Sequence, residues 1–460
     1  MTQTEASVFS DEELEFQKEI HRKTKIFIKE LNQKAIERDV LSRLGVLALL
    51  SRSHMFLVGD PGVGKTYFIK KLRHILSDGK YFEYLLNAST KVEELLGVPY
   101  DGGGGVIKFN TEDSVVDSEI VFLDEMFKGI STILNSLLGI TSPERIFHTK
   151  ATGAIRAKLI SLFAASNEMP PQGTEALSDR ILFRYEPRRL GTIEGQNRFY
   201  NEEFDKTNDF SEHTTVFEID LINNLSNKIK RPKYIVNIII QLTKLFISSR
   251  IKASDRKNGD IIRILTVSAF LNNRDAIDVS DLFLFLHLGW EDYNERKAIK
   301  EIIYNLFFQN KNIFSSNIEL IKNDAARAKS IHRAELLDIF EKRINPSTDY
   351  INNHLGAWRQ KCREQLEFCN GIIGNINTIR EQINNIKTVE NITAQNIFVA
   401  PLLEEKALHI DYPYERSFDE SMEILLENLY VEMFNMSKEY KAFLEICVDA
   451  GSYAMFEQKK

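Results

Sequence analysis

Apolar positions in the first fifty residues recur at helical spacing, with Leu41, Leu44, Leu47 and Leu50 forming one stripe on a stretch that reads as helix over 11–50. Such a stripe needs a surface to lie against, so the helices should pack on whatever follows. From His54 the pattern changes to short continuous apolar runs: His54–Val58, YFEYLL at 81–86, EIVFLDE at 119–125, LISLFAAS at 159–166 and ILFRYE at 181–186. Runs without polar alternation are what strands buried on both faces require, and helical stretches separate them. A parallel sheet in a three-layer α/β domain over 34–190 follows. Within it, ERIFHTKATGAIRAK at 144–158 predicts a hairpin. The DGGGG at 101–105 is either a loop whose backbone freedom serves motion or a tolerated surface insertion.

Residues 191–300 carry helical signals only, with Pro232 and Gly259 at element boundaries, and predict a helical lid. Further on, Leu355, Cys362, Cys369, Ile376 and Ile383 recur every seven residues. Trp358, Gln365, Ile372, Ile379 and Ile386 do the same three positions later. This heptad seam predicts a helix of roughly 40 residues, about 60 Å long, in an antiparallel bundle. Phe418, Met422, Leu425, Leu429, Met433, Met436, Tyr440, Phe443 and Cys447 form a second stripe. The expected organisation is an N-terminal helical segment (1–33), the α/β core (34–190), the lid (191–300) and a C-terminal helical bundle or coiled-coil arm (301–460) with a short insertion at 388–415.

Composition agrees with long elements, since 32 of 460 residues are Gly or Pro, about 7% against a usual 12%. Three cysteines with no CxxC spacing exclude a zinc site or disulfide framework and place Cys362, Cys369 and Cys447 in a core, as fits a reducing compartment. The N-terminus is acidic where a signal peptide would be basic. The apolar run Tyr234–Ile251 is interrupted by Asn237, Gln241, Lys244 and Arg250, so it reads as a packed helix and no membrane span is expected. A cytoplasmic protein is the expectation. A net charge of −7 lacks the positive field of a nucleic-acid binder.

The chemistry begins at GDPGVGKT, residues 59–66, a full match to GxxxxGK[ST] between a strand and a helix. Gly59, Gly62 and Gly64 would let consecutive backbone N–H groups turn toward phosphate oxygens, with Asp60, Pro61 and Val63 completing the loop and Tyr67 following on the helix. Lys65 would reach the β and γ phosphates of ATP, and Thr66 would ligate Mg²⁺. Asp124 and Glu125 close an apolar strand, where one carboxylate can hold the magnesium shell and its neighbour can polarise a water. An N-cap for the next helix is the structural alternative. Asn167 follows another apolar strand and could bond both γ-phosphate and water, or simply make a turn. Arg180 and Arg256 are candidates for the positive charge phosphoryl transfer requires, one of them supplied by a neighbouring subunit. Arg145, Arg184 and Arg263 are nearby alternatives.

That order of motifs resembles the AAA+ ATPases, and the local wording resembles their MoxR branch, nearest to the regulatory ATPase variant A (RavA) type. The resemblance runs from about Glu37 to Asp292, through EIVFLDEMFKGISTILNSLL, LFAASNEMP, EALSDRILFR and SDRKNGDIIRILTVSAFLNNRDAIDVSDL. It implies Lys65 and Thr66 as Walker A, Asp124 and Glu125 as Walker B, Asn167 as sensor 1, Arg180 as arginine finger and Arg256 as sensor 2. It further implies a homo-hexameric, chaperone-like remodeller or maturation factor, acting with a partner that carries a von Willebrand factor A domain. The RavA type also projects a compact β-rich domain that binds an inducible lysine decarboxylase. Here the sequence departs, because 388–415 offers only 28 positions, below the roughly 50 an independent unit needs. The rival readings are a nucleotide-gated scaffold, a nucleic-acid motor and a small P-loop kinase, the last leaving the lid and arm unexplained.

Overall fold

The computed structural model describes residues 8–457 except 102, 104–106, 150–152, 309–310, 343–347 and 400–419. The chain divides into two compact units, one of residues 1–303 with 390–414, the other of 304–389 with 415–460.

Five parallel strands form the central sheet of the first unit: β1 (Met55–Val58), β2 (Tyr81–Leu85), β5 (Ile120–Asp124), β8 (Ser161–Ser166) and β9 (Phe183–Tyr185), in the order β2-β5-β8-β1-β9. Every residue of β1, β8 and β9 is buried, as their unbroken apolar runs require. The apolar runs and the strands coincide to within one or two residues at each end.

Two antiparallel pairs project from this frame. The expected hairpin is present as β6 (Ile146–Thr149) and β7 (Gly153–Arg156). The second, β3 (Val98–Asp101) with β4 (Ile107–Asn110), was not anticipated and makes the DGGGG run the connection between its strands. Most of that glycine run lies outside the described residues. Gly97 at its base is at φ +102, and a Cβ there would fall 2.0 Å from the Asn110 carbonyl oxygen, so only glycine fits.

The stretch 11–50 is two helices, Asp11–Lys34 and Asp39–Leu50, broken at Ala35–Arg38. Ser10 and Glu13 form a capping box on the first. Leu41, Leu44, Leu47 and Leu50 are all fully buried. Helices Ile193–Tyr200, Val216–Ser226, Lys233–Ser248, Asp255–Leu271 and Tyr293–Phe308 follow. Helix Lys233–Ser248 buries Ile235, Ile239, Leu242 and Phe246 along one stripe. Among the described residues no helix is long and apolar enough to cross a membrane.

Residues beyond Glu390 rejoin the first unit, where Thr393, Asn396, Ile397, Phe398 and Val399 are buried. Asn396 donates to Ser280 Oγ (2.9 Å) and Asp281 Oδ1 (3.1 Å), and accepts from Asn272 (3.2 Å) and from the Phe398 N–H (3.0 Å). Arg43 donates to the Ile397 carbonyl. Asp281 is wholly buried and paired with Arg274, and burial holds its carboxyl above the usual range.

The second unit contains helices Lys311–Lys342, Thr348–Gln395 (up to Val389) and Glu420–Glu457. Helix Thr348–Gln395 has 48 residues, about 72 Å at 1.5 Å per residue. Cys362, Cys369, Ile372, Ile376, Ile379, Ile383 and Ile386 are buried along the expected seam. Gln365 is half-buried, and the side chains of Leu355 and Trp358 are outside the described set. Lys387 pairs with Glu423 (2.7 Å), Arg380 with Glu427, and Ser437 bonds Asn370 (3.1 Å), a descending register that makes these two helices antiparallel. On the last helix the buried stripe is Leu426, Leu429, Met433, Met436 and Tyr440. Leu426 replaces the expected Leu425, which is only half-buried. Phe418 and the side chains of Phe443 and Cys447 lie outside the described residues.

Candidate active site

The sheet order explains why motifs far apart in sequence meet. Strands β5, β8 and β1 are adjacent and parallel, so the residues that follow them emerge side by side at one edge: Asp124–Glu125, Asn167 and Gly59. Pairing of Val58 with Ser166 continues as a Gly59 N–H to Ser166 carbonyl bond of 3.2 Å. In the loop, Gly59, Gly62 and Gly64 all have positive φ. A Cβ on Gly59 would stand 3.3 Å from the Pro187 carbonyl oxygen. Gly64 is the N-cap of helix Lys65–Leu72, which starts its dipole at the loop.

Lys65 is buried and its ammonium is held by the carbonyls of Gly59 and Asp60 (2.9 Å for the latter) and by Asn167 Oδ1 at 3.0 Å. Burial lowers its pKa, against the pull of Asp124, Glu125 and Asp60. Thr66 donates its hydroxyl to Asp124 Oδ2 at 2.9 Å. Asn167 Nδ2 donates to Glu125 Oε1 at 2.7 Å, and Lys128 stands 3.4 Å from Glu125 Oε2. One chain of contacts therefore joins Lys65 through Asn167 to Glu125. Glu125 itself is at φ +51, left-handed backbone that costs a non-glycine residue about 1–2 kcal/mol. It heads a single 3₁₀ turn, Met126–Lys128, ahead of helix Ser131–Ile140, and its side chain caps neither. The capping alternative for Glu125 is set aside by this arrangement.

A second feature was not read from the sequence. A cavity of about 660 Å³ opens beside Gly62, Val63 and Gly64, walled by Lys34, Ala35, Ile36 and Arg38 and by Phe199, Tyr200 and Phe204, the size of a small-ligand pocket. Arg38 ties its walls together, donating to the carbonyls of Val63 and Arg188, both at 2.8 Å. Glu37 accepts from the N–H groups of Gly191 (2.7 Å) and Thr192 (3.0 Å). The signal available beforehand was the aromatic cluster RFYNEEF at 198–204, whose Phe199 and Tyr200 end helix Ile193–Tyr200 and stay exposed.

Residues 22–201 match the family described as the MoxR domain of MoxR-vWA-beta-propeller ternary systems, and residues 220–303 match an AAA lid domain. Over these two stretches the chain is similar to the MoxR-type AAA+ ATPases. Two uncharacterized proteins of Methanocaldococcus jannaschii resemble it. One is 29% identical over 66% of this chain and 80% of its own length, the other 27% identical over 88% and 97%. The crystal structure of a proposed ATPase from Cytophaga hutchinsonii shares the fold, with a TM-score of 0.51 at 18% identity over 64% of this chain and 96% of that one.

The AAA+ unit does not bring every candidate residue to this edge. Met55 pairs with Phe183, so Arg180 precedes the opposite, N-terminal edge of the sheet. Arg256, in the first turn of helix Asp255–Leu271, lies with it: Ser254 donates to Asp179 (3.2 Å) and Lys257 pairs with Asp179 (3.4 Å). Neither arginine therefore stands at the edge that carries the P-loop. The alternatives are occupied structurally. Arg184 is fully buried against Ser178, Arg145 donates to the carbonyls of Arg52 and Ile160, and Arg263 donates to the Ser51 carbonyl and Ser53 Oγ. Arg256 is exposed, and Arg180 is half-buried with its Nε unpartnered.

Proposed function

We propose that this chain binds ATP with magnesium and hydrolyses it. The observation that carries the reading is the unbroken contact chain Lys65–Asn167–Glu125 beside Thr66–Asp124. Lys65 takes the β and γ phosphates in exchange for its present carbonyl partners, and the glycine loop supplies backbone N–H groups. Thr66 Oγ1 and Asp124 Oδ2, 2.9 Å apart, are the hard oxygen donors that magnesium prefers and would hold it. When bound, that ion would neutralise charge on the phosphate oxygens. Asn167 holds Glu125, whose carboxylate accepts a proton from the attacking water. The aromatic cavity receives the nucleobase.

Arg180 and Arg256, turned away from their own P-loop, act on the nucleotide of a neighbouring copy in a homo-hexameric ring. The ring remodels or matures protein complexes with a von Willebrand factor A domain partner, in keeping with the family's description. Free, buried Cys362 and Cys369 suit a reducing, cytoplasmic setting. Kinship to the regulatory ATPase variant A type rests on sequence wording alone. Steady-state turnover and nucleotide-binding measurements test the reading. Glu125→Gln should lose roughly 10²–10⁴-fold in turnover while keeping ATP affinity, and Lys65→Ala should lose affinity. Unchanged turnover in Glu125→Gln would refute it.

A further inference from the structure

Residues 34–38, at the break between the first two helices, send three charged side chains to the segments around the cavity beside the P-loop. Lys34, buried, pairs with Asp205, donates to Thr207 Oγ1 (3.3 Å) and stands 5.0 Å from the centre of the Phe210 ring. Its ammonium holds the Asp205 carboxyl down to about 2. This fixes the segment carrying Phe204, whose ring stacks on Phe199 with centroids 6.2 Å apart. Glu37 holds the start of helix Ile193–Tyr200. Its carboxylate accepts from the Gly191 and Thr192 N–H groups and from the hydroxyl of Thr192, the N-cap of that helix. A Cβ on Gly195 would stand 2.0 Å from Glu37 Oε1, so glycine there leaves the space the carboxylate fills. The other end of the helix brings Phe199 and Tyr200 to the cavity wall. Arg38 reaches the opposite wall, its Nη2 donating to the carbonyls of Val63 in the P-loop and of Arg188 beyond β9, and its Nη1 to the Glu37 carbonyl at 2.8 Å. Glu37 is at φ +54, left-handed backbone that a non-glycine residue keeps only where its surroundings over-determine it.

We propose that Glu37 and Arg38 are positioning residues, which hold the aromatic wall and the phosphate loop at one fixed separation so that a nucleotide's base and its phosphates seat together. This rests on the reading of the cavity as the nucleobase site. Both side chains are engaged by protein groups, so they shape the cavity without reading what enters it. Arg38 sets the loop against the connection leaving β9, and Glu37 sets the helix that ends in the aromatic wall. The two are adjacent in sequence and joined by the bond from Arg38 Nη1 to the Glu37 carbonyl, so a shift of either wall passes to the other. A spacing fixed in advance strengthens binding, because the walls need no ordering when the ligand arrives. A bare triphosphate chain needs only the backbone N–H groups of the loop and gains nothing from the spacing.

The test compares the full chain with its variants Glu37→Gly, Glu37→Gln and Arg38→Met by calorimetry. Each is titrated with the non-hydrolysable ATP analogue adenylyl imidodiphosphate and, separately, with inorganic tripolyphosphate, both with magnesium. Glycine suits a positive φ, so Glu37→Gly should keep its thermal midpoint while losing the carboxylate. Affinity for the analogue should fall by roughly tenfold in Glu37→Gly and in Arg38→Met, with tripolyphosphate affinity staying within about twofold. Glu37→Gln, which keeps an oxygen acceptor for the N–H groups, should recover part of the loss. A parallel fall for both ligands, or unchanged affinity for the analogue in Glu37→Gly, overturns the positioning role and leaves the nucleotide reading standing. An unmodified chain that binds tripolyphosphate as tightly as the analogue overturns the base site and the proposal with it, and one that binds neither overturns the whole reading. Should Arg38→Met lose its fold, Glu37→Gly decides alone.

Discussion

His54 shows how far a residue's role depends on what folds around it. It lies just before β1, buried, with its Nδ1 accepting from the Leu162 N–H at 2.9 Å and the Arg145 guanidinium against its ring. Burial first, then Arg145, hold its pKa well below the ordinary value. The folded state therefore keeps the ring neutral, while the unfolded chain takes up a proton near pH 6.5. Stability should fall as pH drops below that value, by up to about 1.4 kcal/mol per unit from this residue. Urea unfolding at pH 7.5, 6 and 5 checks it, and His54→Gln, which can keep the bond from Leu162, should flatten the slope. Among residues, the positions of the P-loop, Asp124, Glu125 and Asn167 were legible because each ends or follows an apolar run, which puts it at a strand's C-terminal end. The choice among five arginines was not, since a guanidinium bonded to carbonyls and one facing solvent look alike in sequence.

Elements were read best where one period governs them. Apart from half-buried Gln365, the heptad positions of helix Thr348–Gln395 are buried wherever their side chains are described, because a repeat of seven keeps one face turned to its neighbours. Ile376→Ala should cost roughly 2–5 kcal/mol in the helical unit, seen as faster amide exchange across residues 362–386 with strand β1 unaffected. Hairpin β3–β4 escaped detection because Val98, Tyr100 and Asp101 are all exposed, so no alternation marks it. The burial of Thr393 and of 396–399 escaped too, since three consecutive apolar residues, Ile397, Phe398 and Val399, carry no period and their polar anchor is one asparagine. Asn396→Ala strips the Phe398 N–H of its acceptor and Asp281 of a donor. The expected loss is about 1–3 kcal/mol, measurable as a lower urea midpoint.

For the molecule as a whole, the separation of Arg180 and Arg256 from Lys65 makes assembly a requirement of the proposed chemistry. Glu125→Gln with ATP and magnesium should show a mass near six times 53.1 kDa, and the same protein without nucleotide a smaller one. Analytical ultracentrifugation decides this. Arg180→Ala should bind ATP normally as a subunit yet fall by roughly 10³-fold or more in turnover. Mixing it with Lys65→Ala subunits should restore part of the rate, because each supplies what the other lacks.

What the sequence by itself determined is whatever rests on local order: the parallel strands, from unbroken apolar runs; the P-loop, from glycines that must reach positive φ; the long helix, from its period of seven. Tertiary structure alone decided which ends of those strands lie together, which arginines are consumed by carbonyls, and where the aromatic cavity opens. These depend on sheet order and on the competition of buried polar groups for partners, and both are settled by contacts between segments that no local pattern relates.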